Sequence, residues 1–215
     1  MEEVNIVVRW GHLLLGVSWI GMLHYFNFVQ GGFFKANSRI FFKKKHTSYA
    51  SLIPVNLRWF RWITGIMLTT AMYLLWTTNS LFSDYIFFSV LMSLCMIVNV
   101  IVFIWPAQQI ALGLKSGDRI EAADRAFSAL RTNHLFCLLI CLCLIFSFGS
   151  NQSEQLLVNL FSEQKSLSLF VSFSIIIALE LNIVFGRQLM KSSQQAFAQT
   201  SATLAGVLYI ALTFI

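Results

Sequence analysis

The sequence has few charged residues and almost no proline. Of its 215 residues, 11% are charged, 57% are hydrophobic and 2 are Pro. A soluble domain has about 25% charged residues, so this composition excludes an ordinary soluble domain. Proline breaks helices because it removes a backbone hydrogen bond, and its scarcity suits long uninterrupted helices. The sequence therefore predicts an integral membrane protein.

Several motifs are also missing. The start, MEEVNIVV, lacks the basic region of a signal peptide and no small-residue cleavage site follows, so we expect the first helix to be retained. No CxxCH motif is present, which predicts that no c-type haem is covalently attached. Without an HxxxH or ExxH pair, a dinuclear metal site is not expected. The four cysteines form no CxxC pair and lie in apolar segments, where free cysteine is typically a packing residue.

Six apolar segments are close to the length of about 20 residues that crosses a bilayer as a helix. They are Asn5–Phe33, Trp59–Trp76, Tyr85–Trp105, Thr132–Phe148, Leu167–Phe185 and Ala196–Ile215. The last one has a polar start. The sequence thus predicts an all-α polytopic transmembrane bundle of about six spans, forming one integral membrane domain over residues 1–215.

The basic residues give the orientation of this bundle. All Lys and Arg except Arg9 and Lys165 lie in the loops after the first, third and fifth segments or at the edges of those loops. The positive-inside rule places such loops in the cytoplasm, which puts both termini in the periplasm of a bacterial inner membrane. The net charge of +6 is therefore a topology signal, and we expect the lipid bilayer and no nucleic acid as a partner.

The loop GLKSGDRIEAADRAFSALR, residues 113–131, is polar but has apolar residues at helical spacing. Ile120, Ala123, Phe127 and Leu130 would share one face. This pattern predicts an amphipathic helix that either lies on the cytoplasmic face or continues into the fourth span.

Polar residues inside the predicted spans gather in the cytoplasmic half. They are His24, Asn27, Asn99, Arg131, Asn133, His134, Glu180 and Asn182. An ionisable group in a span is costly unless it is paired, so we expect Glu180 to face the bundle with Arg131, His24 or His134 as its partner. The set forms either a polar cavity open to the cytoplasm or a group of interhelical hydrogen bonds that hold the bundle together.

The histidines raise the question of a haem. A b-type haem needs one or two axial histidines that face inward from helices. His24 and His134 fall at similar predicted depth on different spans, which allows a bis-histidine haem. His12 lies near the outer surface on a face that it shares with Gly16 and Trp19. It serves either as a single axial ligand or as a hydrogen-bond partner of a neighbouring helix.

Five stretches together resemble one known family. They are VRWGHLLLGVSWIGMLHYFNFVQGGFFK (8–35), NLRWFRWITGIM (56–67), NVIVFIWPAQQ (99–109), RTN (131–133) and ALELNIVFG (178–186). In this order they resemble the membrane domain of the bacterial membrane-bound urate hydroxylases. The resemblance implies oxidation of urate to 5-hydroxyisourate and onward transfer of electrons. Family members carry a cytochrome c domain after the membrane part, so for this chain the resemblance implies a separate acceptor such as a cytochrome c.

A membrane oxidoreductase that uses this polar set would give individual residues distinct roles. Arg131 and Asn133 would bind an anion such as urate, and Glu180 or a histidine would move protons. The candidates for substrate contacts are Trp19, Asn27, Asn99 and Asn182, and those for cofactor contacts are His12, His24 and His134. His24 and His134 depart from the family pattern, which leaves substrate specificity open. The alternatives are a non-catalytic subunit of a larger membrane complex and, with less support, a transporter.

Overall fold

The protein is almost entirely helical in the part of the chain that its computed structural model describes. This part comprises residues 2–30, 48–78, 84–111, 114–149, 163–186 and 193–214. It contains no strand. The predicted all-α class is therefore confirmed.

The helices follow the predicted apolar segments but extend beyond most of them. The α-helices are α1 Glu2–His24, α2 Ser48–Thr78, α3 Asp84–Asn99, α4 Trp105–Ala111, α5 Arg119–Gly149, α6 Glu163–Leu181 and α7 Gln194–Phe214. Three π-helical segments continue them: π1 Tyr25–Gln30 after α1, π2 Val100–Ile104 between α3 and α4, and π3 Asn182–Gly186 after α6.

Among the described residues, four helical stretches are long and apolar enough to cross a membrane. They are Glu3–Phe28, Tyr85–Ala111, Arg119–Ser147 and Leu167–Phe185. Since lipid offers no hydrogen bonds, helices that satisfy their own backbone are the structure expected there. The chain is a membrane protein on this evidence.

The chain divides into two compact units. The first unit comprises Met1–Thr78 with Val100–Leu130, and the second comprises Asn79–Asn99 with Arg131–Ile215. In the first unit α1 packs against α2. Phe60 of α2 meets Trp19 in a stacked contact at 5.9 Å and Phe26 edge-on at 5.4 Å between ring centroids.

In the second unit α6 packs against α7 and contacts α3. Aromatic rings take part in the packing of this unit: Phe88 of α3 meets Phe173 of α6 at 5.3 Å, and Phe146 of α5 stacks on Tyr209 of α7 at 4.5 Å. Offset and edge-on ring pairs stabilise a core beyond the area they bury. This packing fixes α3, α5, α6 and α7, which carry the polar residues of this unit.

A tight turn joins α4 to α5 within the first unit. Gly117 has φ 149°, and a Cβ there would lie 2.8 Å from a methyl group of Ile110. Glycine is therefore required. Asp118 caps α5, because its Oδ1 accepts the backbone N–H groups of Ile120 and Glu121 at 2.9 and 3.1 Å.

Residues 113–131 were predicted to form an amphipathic helix with Ile120, Ala123, Phe127 and Leu130 on one face. In the structure Leu130 is buried and Ile120 is 64% exposed, while Ala122 and Ala126 pack against Ala107 of α4. Small side chains let the two helices approach closely, so the alanines rather than the larger residue form the contact. The helix continues directly into the apolar part of α5, which was one of the two predicted outcomes.

Replacing Asp118 with Ala should weaken the start of α5. Loss of an N-cap costs about 1 kcal/mol, which corresponds to about fivefold faster amide exchange of residues 119–122. Hydrogen exchange measured by mass spectrometry in detergent would detect this change. Lys115→Ala, in the same turn, is the control. Unchanged exchange in Asp118→Ala would contradict the capping role.

Candidate functional site

Three polar side chains meet inside the second unit, and we refer to Asn99, Asn133 and Glu180 as the polar centre. Asn99 Nδ2 donates to Glu180 Oε1 at 2.9 Å and to Asn133 Oδ1 at 3.0 Å. Asn133 Nδ2 in turn donates to the carbonyl oxygen of Met96 at 3.1 Å. Residues from α3, α5 and α6 are thus joined by one hydrogen-bonded chain.

The local sequence explains why these residues can meet. Asn99 is the last residue of α3 and directly precedes π2, while Glu180 lies two residues before π3. π-helical turns inside α-helices occur frequently at functional sites, because they alter the regular backbone pattern. Asn99 and Asn133 are fully buried, so their amides would be costly without these bonds.

Glu180 is half-buried, and its side chain also makes a hydrogen bond with the thiol of Cys95. Cys95 lies one helical turn before Asn99, so both residues present donors to the same carboxyl group. Arg131 or a histidine was predicted as the partner of Glu180. The structure gives Asn99 and Cys95 instead, and this prediction is wrong for the described residues.

Two other predicted site residues lie on α5 close to Asn133 in the sequence. Arg131 and His134 are both buried, and both contact the ring of Phe197 on α7. The guanidinium carbon of Arg131 lies 5.0 Å from the ring centroid, and the imidazole centroid of His134 lies 5.6 Å from it. Phe197 is a residue that the sequence analysis missed, since one phenylalanine among 21 carries no distinguishing signal.

In the first unit the predicted substrate residues Trp19 and Asn27 are buried, with exposures of 4% and 3%. Neither the Nε1 of Trp19 nor either amide atom of Asn27 has a hydrogen-bond partner among the described residues. Buried polar groups are nearly always paired with protein or with an ordered molecule. Asn27 therefore presents one unused donor and one unused acceptor in π1.

His12 has a defined role in the first unit. Its Nδ1 lies 2.8 Å from Oγ1 of Thr70. The hydroxyl of Thr70 donates its hydrogen to the carbonyl oxygens of Ile66 and Met67, each at 3.0 Å, so its oxygen accepts a hydrogen from His12. The Nε2 of His12 is then the nitrogen with the lone pair.

The described histidines of the first unit do not fit a bis-histidine haem. His12 and His24 share one helix, and twelve residues correspond to about 18 Å along its axis, which is too far for a single iron. His24 is exposed and its ring lies 5.4 Å from that of Phe28. His134 is the one histidine of the second unit, and its ring packs on Phe197. The predicted pair of His24 and His134 has one residue in each unit and stays a prediction.

The described residues contain no group of three or more His, Cys, Asp or Glu that could hold a metal ion. His46 lies outside the described part of the chain. Asn182, the remaining candidate, begins π3 and lines a largely apolar groove of about 460 Å³ between α6 and α7, together with Phe170, Ile175, Thr200 and Leu204.

The structure thus brings Asn99, Asn133 and Glu180 together and places Arg131 and His134 on one ring. Trp19 on α1 and Asn27 on π1 are each buried in the first unit. No protein-family model, curated protein or solved structure matches this chain.

Proposed function

We propose that this chain is a membrane oxidoreductase of the urate hydroxylase type, which binds urate or a similar small heterocyclic anion. The observation that carries the proposal is the polar centre, in which the carboxyl group of Glu180 accepts a hydrogen bond from Asn99, and Asn99 is bonded in turn to Asn133, inside apolar helices. Such a group is costly in a membrane and usually marks a functional site. The sequence resemblance to urate hydroxylases supplies the substrate class.

The proposed reaction releases protons, and the polar centre contains a group that can accept one. Oxidation of urate to 5-hydroxyisourate takes up one water molecule and releases two protons and two electrons. Glu180 is the group of the polar centre that can accept a proton, and a positioned general base typically contributes about 10²–10⁴-fold to a rate. Arg131, two residues before Asn133, supplies the positive charge that an anion needs. The electrons pass to a separate acceptor, such as a cytochrome c.

Asn133 has a positioning role in this proposal. Its Oδ1 accepts from Asn99 and its Nδ2 donates to Met96, so its amide orients Asn99 and, through it, Glu180. The unused donor and acceptor of Asn27 offer a second place where an amide-like edge of a ligand can bind. The proposal includes six spans in a bacterial inner membrane, with both termini in the periplasm.

Replacing Glu180 with Gln tests the proposal. Glutamine keeps the oxygen that accepts from Asn99, so we expect a folded protein that has lost the proton acceptor. Urate-dependent reduction of added cytochrome c should fall by about 10²-fold or more. The reaction is followed at the absorption band of the reduced cytochrome, with the purified protein in mild detergent.

Glu121→Gln is the matched control, because Glu121 is exposed and pairs with Arg125 at 2.8 Å. It should leave the rate unchanged. An inactive unsubstituted protein, or full activity in Glu180→Gln, would refute the proposed catalysis.

Absorption spectra before and after dithionite reduction test the haem expectation in the same sample, since a b-type haem gives a Soret band and a sharp reduced α-band.

Exposed aromatic side chains favour a second candidate function, a non-catalytic subunit of a larger membrane complex. Trp76 and Phe185 are 86% and 80% exposed. Side chains of this size on membrane helices face lipid or neighbouring helices. Co-purification of defined partner subunits after mild solubilisation would support this function, whereas a stable isolated monomer with urate-dependent activity would exclude it.

A further inference from the structure

Two arginines and two tryptophans near the middle of α2 are exposed together. Arg58, Trp59, Arg61 and Trp62 all lie outside the packed core, while Phe60 between them is buried against Trp19 and Phe26. The buried ring anchors this part of α2 in the first unit. The four neighbouring side chains are therefore held at the surface in a fixed place.

Arg61 is oriented by a second helix of the same unit. Its guanidinium carbon lies 4.1 Å from the ring centroid of Trp105, the first residue of α4. A guanidinium that stacks on an aromatic face keeps its N–H groups in the plane of the stack. The stacked arginine can still bind an anion from its edge.

The position of Trp105 indicates how deep Arg61 and Trp105 lie in the membrane. Tyr85 and Trp105 lie in one continuous stretch that is long and apolar enough to cross a membrane, Tyr85–Ala111, and a separation of 20 positions corresponds to about 30 Å of helix. This distance equals the thickness of the hydrocarbon core of a bilayer. Aromatic residues that are separated by that length lie at the two membrane surfaces, where Trp and Tyr are enriched.

The charge of the two arginines is not compensated within the described residues. Neither Arg58 nor Arg61 forms an ion pair with a carboxylate there, in contrast to Arg125, which pairs with Glu121. At the level of the lipid headgroups, the complementary group is the phosphate of an anionic lipid, and arginine binds phosphate with two parallel N–H groups.

We propose that Arg58 and Arg61, flanked by Trp59, Trp62 and Trp105, form a binding site for the headgroup of an anionic phospholipid. The phosphate lies against the edge of Arg61, and the tryptophans occupy the headgroup layer. Ile66, an exposed apolar residue further along α2, lies toward the acyl chains. This site is separate from the polar centre and does not depend on the proposed enzymatic activity.

The test is a competition between two lipids on the purified full chain. Native mass spectrometry in mild detergent compares retention of phosphatidylglycerol and of phosphatidylcholine with the same acyl chains. We expect selective retention of phosphatidylglycerol. Each substitution, Arg58→Gln or Arg61→Gln, should reduce it about fivefold. Arg125→Gln should retain it fully.

Three results would overturn the proposal. Equal retention of the two lipids would show that charge is not recognised. Selective retention that survives in the Arg58→Gln/Arg61→Gln variant would place the lipid elsewhere. Displacement of phosphatidylglycerol by an equal concentration of inorganic phosphate would identify a site for free phosphate. The competition on the unsubstituted protein decides the first and third points even where the double variant folds poorly.

Discussion

Replacing Asn99 with Leu is expected to destabilise the protein by about 2–4 kcal/mol. The substitution removes both bonds that Asn99 Nδ2 donates, to Glu180 and to Asn133. Each buried group that loses its partner costs about 1–3 kcal/mol, and a charged one costs more. Unfolding by sodium dodecyl sulfate in mixed micelles, followed by circular dichroism, measures the change.

A double-mutant cycle separates the contribution of Glu180. In a Glu180→Gln background the group left without its donor is a neutral amide, so the cost of Asn99→Leu should decrease. The difference between the two costs is the coupling energy of Asn99 with the charge of Glu180. A cost below about 1 kcal/mol in both backgrounds would mean that the polar centre does not hold the second unit together.

Replacing Asn27 with Leu is expected to stabilise the protein, whereas replacing Asn99 with Leu destabilises it. Asn27 is 3% exposed and its amide has no partner among the described residues. Removing an unpaired buried amide should stabilise the protein without ligand by about 1–2 kcal/mol. The same unfolding measurement applies, and Asn99→Leu is the matched substitution at a paired asparagine.

The same substitution, Asn27→Leu, should weaken ligand binding while it increases the stability of the protein without ligand. If urate or a related anion also binds through the amide of Asn27, its stabilising effect on the unsubstituted protein should be smaller in Asn27→Leu. Natural proteins often retain a destabilising residue where function requires it. Destabilisation by Asn27→Leu without ligand would contradict the prediction and would indicate an ordered water molecule bonded to the amide.

Much of the helical architecture could be predicted from the sequence, because long apolar runs with little proline leave few alternatives to a helix. The membership of Asn99, Asn133 and Glu180 in one polar group was also predictable, since unpaired polar residues inside spans must find partners. Which atoms would pair was not predictable. It depends on helix rotation, and the π-helical turns beside Asn99 and Glu180 have no clear signal in the sequence.

The wrong partner of Glu180 has a physical cause. Arg131 was one of three charged or titratable candidates, with His24 and His134, but its buried guanidinium lies over the ring of Phe197. The amide of Asn99 donates to the carboxyl group instead. Packing geometry decided between partners that charge could not rank.

The amide of Asn99 makes the two oxygens of Glu180 chemically different. Both hydrogens of Nδ2 are donated, one of them to Oε1, so Oε1 acts as an acceptor. A carbonyl-type oxygen accepts a hydrogen bond better than a hydroxyl oxygen, so a proton on Glu180 is favoured on Oε2. The amide of Asn99 thereby distinguishes an accepting oxygen from the oxygen that is easier to protonate.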